Sequence, residues 1–117
     1  MRACFVFFAG LFLLLAACHR PHHQVLGKAP KGERQTIRAI RQRETPPIVT
    51  VSGVMFEKCP VAGCWLRVRD ETGTIKVDTK SAGFVVVDVP LDTKVTVMGK
   101  IVTEGNEVSL EAEGLQY

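Results

Sequence analysis

Val49-Thr50-Val51-Ser52-Gly53-Val54 is nearly repeated at Val95-Thr96-Val97-Met98-Gly99-Lys100. In both copies β-branched residues recur at every second position, the period with which side chains alternate between the faces of a strand. In both, a glycine interrupts the run, as happens where a bulge or sharp bend lets a sheet coil. Outward from these segments, the same alternation predicts strands over 48–58, 64–70, 74–78, 94–104 and 107–116. Asp70-Glu71-Thr72-Gly73 and Glu104-Gly105-Asn106 carry the residues of short hairpin turns. Inside the connection 80–93, Phe84 to Val89 is apolar enough to read as an extra short strand.

Five strands, with two long ones bent at glycine, make an all-β chain that resembles the OB-fold, a five-stranded, partly open Greek-key barrel. The run Trp65-Leu66-Arg67-Val68-Arg69-Asp70-Glu71-Thr72-Gly73-Thr74-Ile75-Lys76-Val77 looks like the second and third strands of such a barrel. A closer likeness is to a small, poorly characterised family of bacterial periplasmic OB-like domains, which carry Gly-Cys-Trp after the first strand. Here that motif is Gly63-Cys64-Trp65. The likeness implies location and fold, not a reaction.

The N-terminal end has a different character. Arg2 precedes an apolar stretch from Ala3 to Cys18. Its 16 residues would make a helix of roughly 24 Å, short of the ~20 residues that span a bilayer. A basic start, a short apolar core and small residues at its end predict a cleaved signal. Leu15-Ala16-Ala17-Cys18 resembles the lipobox of bacterial lipoproteins, in which the cysteine thiol takes diacylglycerol and becomes the new N-terminus. The alternative is an ordinary secretory signal that ends by chance in cysteine. Lipidation at Cys18 implies a lipid bilayer as first partner and a cell-envelope location, since several acyl chains anchor durably. His19, rather than Asp, follows the cysteine, which by resemblance to enterobacterial sorting implies the outer membrane. The expected organisation is a signal over residues 1–17, a lipidated cysteine and flexible tether over 18–47, and the OB-fold-like domain over 48–117.

Charge divides along the same boundary. Between His19 and Pro47 seven Lys or Arg face Glu33 and Glu44, whereas from Ile48 to Tyr117 seven basic residues face ten acidic ones. The net +3 of the chain thus hides a basic tether on an acidic domain. An acidic domain outside the cytoplasm argues against nucleic acid as a partner, because phosphate contacts need positive charge. The tether, with four prolines, Gly27 and Gly32, is too polar to fold alone. As a flexible chain it would reach roughly 30 Å. Glu33 to Glu44 could form a short helix, but Ile37 and Ile40 make only a weak apolar stripe. Its arginines could settle on anionic headgroups, at about 1 kcal/mol each. His19, His22 and His23 cluster closely enough to hold a soft or borderline metal weakly, but with no fixed geometry evident.

Once Cys4 leaves with the signal, Cys59 and Cys64 are the remaining pair beside Cys18. They flank Pro60-Val61-Ala62-Gly63, and in an exported hairpin the expected state is a disulfide. Three alternatives stand beside it, the plainest being a pair of free thiols. A soft-metal site would add Met55 or Met98 to the two thiolates. A redox-active pair lacks, in a C-x4-C spacing, the helix N-terminus that activates C-x-x-C thiols. No resident cofactor is expected.

A candidate ligand face follows from parity. If Leu66, Val68, Ile75 and Val77 point inward, then Trp65, Arg67, Arg69 and Lys76 point out. The turn at 70–73 sets Arg67 opposite Lys76, which is destabilising unless something anionic is shared. An outward tryptophan beside three cations can stack and hold sugars or nucleotides, on the face that OB-folds use for ligands. The plain alternative is a solvated surface. The region after Pro47 contains no histidine and no recognisable triad or paired-carboxylate motif, so no enzyme is expected. Three functions remain open. One is a non-enzymatic envelope module for an anionic or sugar-like ligand or a protein partner. The others are a metal- or redox-handling accessory working through Cys59 and Cys64, and a structural subunit of an envelope assembly.

Overall fold

The structure is a computed structural model describing residues 23–117; the signal segment, Cys18, His19 and His22 lie outside the described residues. The strands read from alternation form at Ile48–Lys58 (β2), Trp65–Arg69 (β3), Thr74–Asp78 (β4), Thr93–Glu104 (β5) and Glu107–Gln116 (β6). A short strand, Val25–Gly27 (β1), and one helical turn, Ile37–Arg41 (α1), precede them. Neighbouring strands run β6-β4-β3-β2-β5, and β5 pairs again with β6, so the sheet closes on itself. The β4–β6 contact is parallel and the other four in the ring are antiparallel. This is the closed five-stranded OB-fold-like barrel. Inward residues Val51, Met55, Leu66, Val68, Val77, Val97 and Leu110 are fully buried, which is the alternation of the sequence expressed as burial. No helix among the described residues is long and apolar enough to cross a membrane.

The two glycines of the repeated segment do different work. At Gly99 the β5–β6 register slips between Met98 and Gly99, the expected bulge. At Gly53 there is no slip; a side chain there would collide with the Arg69 carbonyl, so glycine allows β3 to approach. The β2–β3 irregularity lies further on, between Met55 and Glu57.

The stretch read as a flexible tether is instead packed onto the barrel from Gln24 onward. β1 pairs antiparallel with the end of β6, and Gln24 and Tyr117 exchange backbone hydrogen bonds of 2.8 and 2.9 Å. Lys28 passes so close to Gly114 that no side chain would fit there. Thr50 holds the next turn, its carbonyl accepting from Gln35 N–H at 2.7 Å and its hydroxyl donating to the Lys31 carbonyl at 2.5 Å. α1 then seats both Ile37 and Ile40 in the core with no exposed surface. Two buried isoleucines contribute about 1.5–3 kcal/mol each, enough to hold a turn that could not stand alone in water. Its capping completes the account. Thr36 Oγ1 accepts from Ala39 N–H at 3.1 Å, and Asp70 Oδ2 from Ile37 N–H at 2.9 Å. The folded unit therefore includes residues from Gln24 onward and does not start at Ile48.

The second difference concerns Phe84 to Val89, which turns rather than forming a strand. Val86 N–H donates to the Gly63 carbonyl and Val89 N–H to that of Val86, so the backbone curls. Val86 and Val89 are buried in the core while Val85 and Val87 are half-exposed. The run is apolar because it closes one end of the barrel, as α1 closes the end near the β3–β4 turn.

Asp70 joins α1 to the barrel. Its Oδ1 accepts from Thr72 N–H and Oγ1, both at 2.7 Å, and from Gly73 N–H at 3.0 Å, while Oδ2 serves the helix. Burial pushes the carboxyl up, but the hydrogen bonds from Ile37, Thr72 and Gly73 outweigh it and hold the pKa below its ordinary value. A depressed carboxyl stabilises the fold above the unfolded pKa and loses that contribution as pH falls through the folded one. The stability difference between the protein and Asp70→Asn, read from thermal unfolding, is therefore largest near neutrality and shrinks below about pH 4. Ile40→Ala is expected to cost about 2–5 kcal/mol in denaturant unfolding and to open residues 29–47 to proteolysis. A freely solvated segment would show neither effect.

Candidate functional site

On β3 and β4 the outward side chains are the ones parity assigns. Trp65 pairs with Asp78, Arg67 with Lys76 and Arg69 with Thr74. Trp65, Arg67 and Lys76 are partly buried and Arg69 is exposed. The repulsion expected between Arg67 and Lys76 is met from the other side of β3. β2 places Glu57 opposite Arg67, with Glu57 Oε2 at 3.7 Å from Arg67 Nε. With 43% and 52% of the two side chains exposed, such a pair is worth at most about 1 kcal/mol. Arg67 Nε, shielded from solvent, finds no hydrogen-bond acceptor among the described residues.

The other two cations lie over rings. Lys76 Nζ is 5.5 Å from the centroid of Trp65, and the Arg69 guanidinium is 5.3 Å from that of Phe56. Phe56 occupies the β2 irregularity between Met55 and Glu57. Neither Phe56 nor Glu57 figures in the sequence reading of this face. Parity carried one step beyond buried Met55 would have turned Phe56 outward. Past Arg69 the face opens into a groove of about 610 Å3, whose walls include Ser52, Asp70 and Lys94. The surface thus offers two aromatic rings, cations held over them and a neighbouring groove. It can stack and hydrogen-bond a ligand; it presents no arrangement that would activate a nucleophile.

At the opposite end of β3, Cys59 and Cys64 are both free thiols. The loop between them is closed by backbone hydrogen bonds rather than by the expected bridge: Cys59 N–H to the Trp65 carbonyl at 3.0 Å and Gly63 N–H to the Cys59 carbonyl at 3.2 Å. Thr79 N–H holds the Cys64 carbonyl at 2.9 Å. Lys58 fastens the facing loop, its Nζ donating to the carbonyls of Val86, Val87 and Val89 at 3.5, 3.0 and 2.5 Å. The Cys59 thiol is lowered to a pKa of about 7 by hydrogen bonds from the backbone N–H groups of Ala62 and Val61, with a smaller contribution from Cys64. Met55, one of the thioethers considered for a metal site, is buried in the barrel core, and Met98 is buried on the other face of β5, beside Thr50. No group of three or more His, Cys, Asp or Glu stands ready to hold a metal among the described residues, and His23 is exposed.

Gly63 fixes this loop. Its φ of +59° lies in the left-handed region, and a Cβ would sit 2.6 Å from Val87 N. Gly63→Ala is expected to cost more than about 1 kcal/mol. It should also speed amide exchange at Val86, whose N–H reaches the Gly63 carbonyl. Unchanged exchange would show that the loops are not held through this residue.

No family model matches the chain, and no curated protein is similar to it. Among solved structures, that of the hypothetical protein ygiW from E. coli, an OB-fold-like barrel, superposes with a TM-score of 0.54. It is 20% identical to this chain, and the match covers 74% of this chain and 90% of that one. At that identity the likeness is one of fold alone.

Proposed function

We propose that this barrel is a non-enzymatic binding module of the cell envelope. It takes an anionic, sugar-like ligand on the outer face of β3 and β4, with Trp65 and Phe56 as stacking surfaces and Arg67, Arg69 and Lys76 as anion-binding groups. The observation carrying this reading is the pairing of each ring with a cation on one face, beside a guanidinium whose shielded Nε has no acceptor among the described residues. A ring stiffened by a neighbouring cation loses little freedom when a sugar stacks on it. Anchoring by lipid at Cys18 belongs to the same proposal. The packing of residues from Gln24 onward leaves only 19–23 between that cysteine and the barrel. Five residues span at most ~18 Å, so the module would ride close to the bilayer.

The double substitution Arg67→Ser and Lys76→Ser is expected to weaken retention on an immobilised uronic-acid polysaccharide about threefold to tenfold. That corresponds to two partly exposed charge contacts of about 0.3–0.7 kcal/mol each. The thermal unfolding midpoint should stay the same. Unaltered retention, or no retention by the unsubstituted protein, would remove this reading. A second reading, a structural subunit docked in an envelope assembly, draws on Val61, Val85, Val87 and Leu91, all exposed on the Cys59–Cys64 end of the barrel. It predicts a stoichiometric partner whose affinity survives Trp65→Ala.

A further inference from the structure

The loop Cys59-Pro60-Val61-Ala62-Gly63-Cys64 is a site the binding face does not use. Three features set it apart from a pair of inert structural thiols. Both cysteines are partly exposed, so a reagent can reach them. The turn is fixed on both sides, by Cys59 N–H on the Trp65 carbonyl and by Val86 N–H on that of Gly63, so its N–H groups are held in place. The Gly63 N–H bond to the Cys59 carbonyl closes a single turn that starts at Cys59, and the N–H groups of Ala62 and Val61 in that turn lower the pKa of its thiol. A turn that aims several N–H dipoles at one point favours an anion there, as a helix N-terminus does. The C-x4-C spacing conceals this, because no helix follows the first cysteine and the donors come from the turn itself.

We infer that Cys59 and Cys64 form a reversible thiol–disulfide exchange site, with Cys59 as the attacking thiolate and Cys64 as the resolving thiol. The co-reactant is a disulfide, small-molecule or protein-borne. The Cys59 thiolate attacks one sulfur of the disulfide, forming a mixed disulfide and expelling the other half as a thiolate. That thiolate, or water, takes the Cys64 proton. Cys64 then attacks the Cys59 sulfur, closing the Cys59–Cys64 disulfide and releasing the second thiol. Two protein thiols are oxidised and one disulfide is reduced to two thiols, so the exchange balances without an outside oxidant. The closed ring would lie directly before Trp65. The inference is independent of the ligand proposed for the β3–β4 face.

The test combines alkylation and trapping on the full chain, with masses read on the tryptic peptide 59–67, which carries Cys59 and Cys64 and neither of the other cysteines. Iodoacetamide modification of Cys59, followed by mass spectrometry, should show a midpoint near pH 7, against about 9 for the unfolded chain. At pH 7 roughly half the thiol is ionised instead of about one part in a hundred. The lower basicity reduces nucleophilicity, leaving modification about fivefold faster than in the unfolded chain. With glutathione disulfide, the unsubstituted protein should become two protons lighter without keeping glutathione. Cys64→Ser and Cys64→Ala should each retain one glutathione on Cys59, and Cys59→Ser should react slowly at pH 7. The inference is overturned by an ordinary Cys59 midpoint, by faster reaction at Cys64, or by mixed disulfides that never close. Purification with one tightly held soft metal ion per chain would equally overturn it, in favour of a metal site. The pH profile of the unsubstituted protein decides the matter even if a substituted chain fails to fold.

Discussion

β6 is the constraint on which everything else depends. It pairs in parallel with β4, antiparallel with β5, and at its far end with β1. An open sheet of this composition would leave edge backbone groups unpaired and one apolar face against water. Closure removes both problems together, at the cost of close packing along the seam. The seam residues reflect that: β6 supplies Ala112 and Gly114, and β5 supplies Gly99 at the point where the register slips. Closure also leaves two open ends. One receives Ile37 and Ile40 of α1, and the other Val86 and Val89 of the 79–92 connection. Neither plug has regular structure beyond the five residues of α1, and each is tied down by polar side chains: Asp70, Thr72 and Arg41 at the first, Lys58 at the second.

That arrangement explains what the sequence could disclose. The five barrel strands were legible because half-buried strands write their geometry into alternate residues, and Gly53 and Gly99 marked where the backbone must bend or approach. The register of the β3–β4 hairpin was legible as well, because a short turn leaves little choice. Residues 24–47 were not. Their docking depends on two isoleucines, three strand residues and hydrogen bonds from distant Asp70 and Thr50, and none of these forms a periodic signal. A proline-containing, basic segment looks the same whether it is solvated or laid against a barrel. Phe84 to Val89 misled for the converse reason, since apolar residues closing a barrel end resemble a strand when curvature cannot be seen.

The chemical surfaces were legible to different degrees. The positions of Trp65, Arg67, Arg69 and Lys76 followed from parity, but their electrostatic state did not, because Glu57 and Phe56 arrive from β2. The like charges across the ladder are tolerated through a carboxylate on one flank and rings on the others. Each cation is only loosely engaged, at distances beyond a direct hydrogen bond. The thiol pair shows the opposite case: its residues were plain in the sequence, while the backbone donors that distinguish Cys59 from Cys64 exist only once the turn has formed.

The place of β6 after both strands that it joins also governs the order of assembly. Strands β2 to β5 can meet in pairs as they are made, yet none of those pairings encloses the core, and α1 has no finished wall to lie against. The interior is sealed only when the final ten-residue strand arrives to bridge β4 and β5 and to receive β1. Until then the growing polypeptide exposes two unpaired strand margins and its valine-rich interior. A chain made from its N-terminal end would therefore stay open until β6 has formed, and loss of β6 would leave it in that condition permanently.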